Sequence, residues 1–216
     1  MRIGLLIIAF GVLLEPMSFA QTPQSRQLWL AADQGDNSRV QSLLAQGANI
    51  NVRDPSDGTT PLMMATMRGH KDTVKLLIAN KADVNARMGT GATALMIAAA
   101  LGQPGPLEVL LASGGDPNTR SPTGGTLLMD ASFKGYTQTV EVLLSHGAKV
   151  NASGQTGVTA LMLAAGGGYT DTVKLLLAKG ADPNANAGHG VTAMSMARHY
   201  GHDDVADLLK KSGAKN

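Results

Sequence analysis

The side chains best suited to proton transfer or metal binding at neutral pH are five histidines: His70, His146, His189, His199 and His202. The densest group is the run HYGHDD, His199 to Asp204. Two histidines three apart with carboxylates beside them hold zinc when all share one helix face. Gly201 falls between these two and interrupts such a helix, so their side chains diverge and no metal is expected. The serines sit in turns and caps, without the paired base that nucleophilic catalysis needs. The glycine runs at Ser113 to Gly115 and Gly166 to Gly168 lack the following Lys-Ser or Lys-Thr of a phosphate loop. With no cysteine, thiolate sites, disulfides and cysteine nucleophiles are excluded.

Methionine is the remaining candidate. The chain holds 11, and Met63, Met96, Met129 and Met162 are each 33 residues apart. A stacked row of thioethers could ligate Cu(I) or absorb oxidant. The same row could simply fill gaps between helices, since methionine adapts to irregular cores. The packing reading is preferred, and no cofactor is expected.

The spacing of the methionines is the spacing of the whole chain. Thr60, Thr93, Thr126, Thr159 and Thr192 also recur every 33 residues. A small residue closing a turn recurs in phase at Ala48, Ala82, Gly115, Ala148, Ala181 and Ala214. Within one period, Thr93 starts a short helix with Leu95, Ala98 and Ala99 facing inward, and Gly102 stops it. Leu107, Leu110 and Leu111 then repeat at helical spacing until Gly114 and Gly115. Helices of eight to ten residues are marginal alone in water. They persist when a neighbouring copy covers their apolar face. Only 3% of residues are aromatic, which suits a core built many times over from Leu, Ala, Val and Met.

These segments resemble the ankyrin repeat family. The pattern is carried by GTTPLMMATMRGH (Gly58 to His70), VKLLIANKADVNA (Val74 to Ala86) and VKLLLAKGADPNA (Val173 to Ala185). The resemblance implies an all-α solenoid of about six stacked helix-turn-helix units with projecting turns. The units are expected at about 27–54, 55–87, 88–120, 121–153, 154–186 and 187–216. It also implies that His70 and His202 cap the helices they precede. One departure is consistent: the family's helix-start histidine is replaced by the four methionines, and by Ser195 in the last unit. That removes a His–Thr hydrogen bond that ties the family's turn. The recurring Asn51, Asn85, Asn118, Asn151 and Asn184 are expected to brace the turns. Lys210 and Lys211 give the final helix the wettable outer face that a terminal cap needs.

The first twenty residues read as an export signal. Arg2 precedes an apolar run from Ile3 to Leu14, and Ser18-Phe19-Ala20 offers small residues at the two positions a peptidase reads. The run is too short to span a bilayer, which takes roughly 20 apolar residues. Cleavage is expected after Ala20, placing the protein in the periplasm or outside the cell, with no membrane insertion. Residues 21–26 are polar and are expected to form a disordered lead-in.

A formal net charge of +2 with mixed signs argues against nucleic acid as a partner. The family resemblance points instead to a protein, held on the concave face made by turn tips and first helices. In phase, that face collects Asp33, Asp57, Met64, Met67, Arg68, Ile97, Leu101, Asp130, Phe133, Lys134, Leu163, Met196, His199 and Tyr200. An apolar strip with few charges has the make-up of a protein interface. Asp130 interrupts the apolar series Met64, Ile97, Leu163 and Met196, and Lys134 lies one turn on as its expected partner. The reading is an exported binding module, monomeric alone and not an enzyme, that docks on and regulates an envelope or secreted protein, an envelope enzyme being favoured. A secreted effector acting on host proteins and a methionine-rich oxidative-stress or copper accessory protein are the alternatives.

Overall fold

The computed structural model describes residues 22–215. The export segment expected at 1–20 lies outside the described residues. Twelve helices follow one another among them: α1 (Pro23–Gln34), α2 (Asn37–Ala45), α3 (Pro61–Met67), α4 (Lys71–Ala79), α5 (Ala94–Ala100), α6 (Pro104–Ala112), α7 (Leu127–Phe133), α8 (Thr137–Ser145), α9 (Ala160–Gly166), α10 (Thr170–Ala178), α11 (Ala193–His199) and α12 (Asp203–Lys211). The odd-numbered helices pack side by side in one layer and the even-numbered in a second, each pair joined by a tight turn. No strand forms among the described residues; two isolated bridges, Arg120 to Thr126 and Ser153 to Thr159, pin the turns that project between pairs.

The recurring threonines begin the first helix of each pair. Oγ1 of Thr60, Thr93, Thr126 and Thr159 accepts the backbone N–H of Met63, Met96, Met129 and Met162 at 3.2–3.4 Å. The turn therefore keeps a side-chain cap although the histidine is absent. In the last unit Thr192 and Ser195 cap each other reciprocally. The four methionine side chains are buried. They pack between helices.

Two ladders hold neighbouring units in register. Oδ1 of Asn51, Asn118, Asn151 and Asn184 accepts the backbone N–H of Asp83, Lys149, Asp182 and Lys215 in the next unit, at 2.8–2.9 Å. The second ladder runs through the residue opening each second helix. His70 and His202 were expected to cap their own helices, but neither makes a side-chain cap there. Instead His70 Nε2 donates to the Asp33 carbonyl at 2.9 Å and His202 Nε2 to the Gly166 carbonyl at 3.1 Å. Gln103 does the same to Met67 at 3.0 Å. These are carbonyls that the preceding first helix leaves unpaired at its end. Glycine is required opposite this ladder. A Cβ on Gly35 would lie 2.8 Å from the His70 ring and one on Gly102 2.6 Å from Tyr136, and both glycines have positive φ.

The lead-in is also corrected. Helix α1 begins at Pro23, with Thr22 as its N-cap and proline in the first turn, where its missing N–H costs nothing. Ser25 is buried, and its hydroxyl accepts the Asn49 N–H at 3.0 Å. A polar composition concealed a cap.

A third contact links second helices at two of the interfaces. Thr73 bonds Asn37 and Thr172 bonds Thr137 across neighbouring second helices, both at 2.8 Å. The equivalent Thr139 faces the position of Pro104, which has no side-chain acceptor, and its buried hydroxyl has no partner. Thr139→Val should therefore raise stability by about 1 kcal/mol, while Thr172→Val should lower it by about as much. Urea unfolding of the two variants checks the opposite signs.

Candidate functional site

The concave layer is built from the odd-numbered helices, and the structure sorts its expected residues into three groups. Met64 and Ile97 are buried at 9% and 7% exposure, so they belong to the core and not to a docking surface. At mid-helix, a long side chain leans onto the adjoining first helix and is covered by it. Met67, Leu163 and Met196 are half-buried, and Leu101, Phe133 and Tyr200 stand out at 47%, 56% and 58% exposure. Leu30, in the series of Met64 and Ile97 but on the first unit, is also exposed.

Several polar candidates are already engaged. Arg68 Nε donates to Asp33 Oδ1 at 2.6 Å, an exposed pair joining the first two units. Asp57 is exposed, and its carboxylate accepts the Thr59 N–H at 2.8 Å, bracing its own turn. His199 packs edge-on against Tyr200, with ring centres 4.8 Å apart.

The expected Asp130–Lys134 pair does not form. Lys134 Nζ lies over the Phe133 ring instead, 5.3 Å from its centre. The ammonium is drawn to the negative face of the ring, and its aliphatic stem covers apolar surface. Asp130 is left half-buried, and burial pushes its carboxyl above the ordinary aspartate pKa.

Between Phe133 and Tyr200 lies a hollow of about 340 Å³, with Leu163, Met196 and Tyr169 also lining it. Its base is Gly166 and Gly167, where the other units carry Asp33-Gln34, Met67-Arg68, Ala100-Leu101, Phe133-Lys134 and His199-Tyr200. Met196 Cε and the Tyr200 ring sit above Gly166 in the space a side chain would take. A second hollow of about 480 Å³ shares Leu163, Met196 and Tyr200 and continues to Val158, His189 and Val191. The two make one trough along α9 and α11. In the sequence these glycines stand out only as a run without the Lys-Ser or Lys-Thr of a phosphate loop. The signal was their phase, which removes two side chains from one unit.

The chain matches the family model for ankyrin repeats (three copies) over residues 28–121, 104–187 and 128–216. It belongs to the ankyrin repeat family. An ankyrin repeat domain from Acinetobacter baumannii AYE is similar in structure, with TM-score 0.76 and 34% identity over 88% of this chain and 98% of that one. Among curated proteins, the mouse (Mus musculus) 2-5A-dependent ribonuclease is 41% identical over 28% of this chain and 8% of its own length. The bovine (Bos taurus) ankyrin repeat domain-containing protein 49 is 40% identical over 34% of this chain and 30% of its own. The human ankyrin repeat and SOCS box protein 6 is 39% identical over 32% of this chain and 16% of its own. The chain thus spans well under a third of the length of most curated relatives it matches. Ankyrin repeats are in general protein–protein interaction modules, and the fold is typically a non-enzymatic binding scaffold. Among the described residues no group of three or more histidines and carboxylates could hold a metal ion, and no helix is long and apolar enough to cross a membrane.

Proposed function

We propose that this ankyrin-repeat chain is an exported binding module without catalysis of its own, which docks on an envelope or secreted protein through its concave face and regulates it. One observation carries the reading. Among the described residues the exposed large hydrophobics are Leu30, Leu101, Phe133, Val191 and Tyr200. Four lie on or at the ends of first helices and Val191 lies in a projecting turn; the second helices carry none. Solvent-facing apolar side chains gathered on one side of a repeat array mark an interaction surface. An enzyme is the favoured partner, because an array that brings no reaction of its own acts by controlling one. Export is supported by Arg2, the apolar run to Leu14 and the small residues Ser18 and Ala20.

The test is capture of native envelope proteins on immobilised wild-type chain and on a Phe133→Ala/Tyr200→Ala variant. A protein held by the first and released by the second supports the reading; equal capture by both contradicts it. Protein recovered from the native host should begin at Gln21 by mass spectrometry. An intact Met1 in a soluble cytosolic fraction would refute export.

A further inference from the structure

The trough along α9 and α11 has a definite shape and lies beside an unpaired carboxylate. That shape and that charge narrow the kind of segment it accepts. The hollow beside Gly166 and Gly167 is lined by the rings of Phe133, Tyr169 and Tyr200, by the aliphatic chains of Leu163 and Met196, and by Lys134. Such a slot suits a single large apolar side chain. Asp130 stands one turn before Phe133 on α7, at the position that Leu163 fills in the next unit. Its carboxylate has no hydrogen bond or ion pair among the described residues, whereas the two other acids of this face are satisfied, Asp33 by Arg68 and Asp57 by the Thr59 N–H. Lys134, the cation nearest in sequence, lies over the Phe133 ring instead. A half-buried carboxylate without a partner is costly until a donor reaches it. A cation brought by the partner would meet it where water is already partly excluded, and would gain more there than at an open surface.

We propose that the trough binds a linear segment of the partner protein in which a lysine or arginine, placed on Asp130, lies within a few residues of a large apolar side chain that enters the slot between Phe133 and Tyr200. This rests on the concave-face reading and names its partner chemistry. The slot is specific to the fifth unit, because the glycine pair occurs there and in no other.

The experiment is selection of a random dodecapeptide display library on the immobilised full chain, followed by fluorescence anisotropy with a labelled selected peptide. Peptides joining Lys or Arg to Phe, Tyr, Trp or Leu should be enriched. The labelled peptide should bind Asp130→Asn at least tenfold more weakly, with a loss that shrinks in high salt. Gly166→Met should also weaken binding at least tenfold, by filling the slot. That variant should fold at least as well as the wild type: methionine is a better helix former than glycine, and the atom it must displace is the flexible Met196 Cε. A thermal melt of each variant confirms folding. No enrichment at all, selected peptides without a basic residue, or wild-type binding by either variant overturns the proposal. If Phe133→Ala still loses the partner captured by the wild-type chain in those cases, the concave reading stands without it. If Phe133→Ala also binds normally, both fall.

Discussion

Leu143→Ala is expected to lower the stability of the protein by about 2–5 kcal/mol, the range for a leucine removed from a closed core. Leu143 is completely buried on α8, facing the first-helix layer, and α8 is flanked by α6 and α10. Its counterparts Leu77, Leu110, Leu176 and Leu209 are buried in phase. In a repeat array each unit is supported only by its neighbours. A cavity in the fourth of six units therefore weakens the contacts to both sides, and the loss is a large part of a total near 5–15 kcal/mol. The midpoint of urea unfolding should fall sharply. Separate unfolding of the two ends, seen as a broadened or biphasic transition, would be a further sign that the fourth unit couples the halves.

Much of this architecture is legible in the residues because its signals are local. Thr60 and its successors cap helices with their own side chains, and the glycines that end all the described helices but α4 mark those ends by residue type alone. Leu107 and Leu110 mark a buried face by helical spacing alone. The asparagine ladder shows because one residue type recurs at one position. The second ladder is hidden because His70, Gln103, Tyr136, Tyr169 and His202 share a place and not a chemistry. The surface is harder to read. Met64 and Leu163 hold equivalent positions, yet Met64 is buried and Leu163 half-buried, because cover depends on what the adjoining unit brings. Lys134 is one turn from Asp130 in sequence but settles on Phe133, a choice made by side-chain direction. The hollow beside Gly166 and Gly167 follows from two residues without side chains, and its lining comes from neighbouring units, which bring Phe133, Met196 and Tyr200 to it.

Binding energy is expected to gather at the exposed end of α7. Phe133 is 56% exposed, so truncating it opens no core cavity and should leave thermal stability almost unchanged. It walls the slot, carries the Lys134 ammonium on its face, and sits one turn from Asp130. A central aromatic ringed by polar groups is where truncation costs most at an interface, on the order of 2 kcal/mol or more. Each 1.4 kcal/mol or so is a factor of about ten in Kd. The deciding measurement is the Kd of wild type and Phe133→Ala for the partner captured by the wild-type chain, with a thermal melt of both. Binding weakened at least tenfold in a variant that melts with the wild type is the predicted result. A folded Phe133→Ala that binds with unchanged Kd would contradict the account.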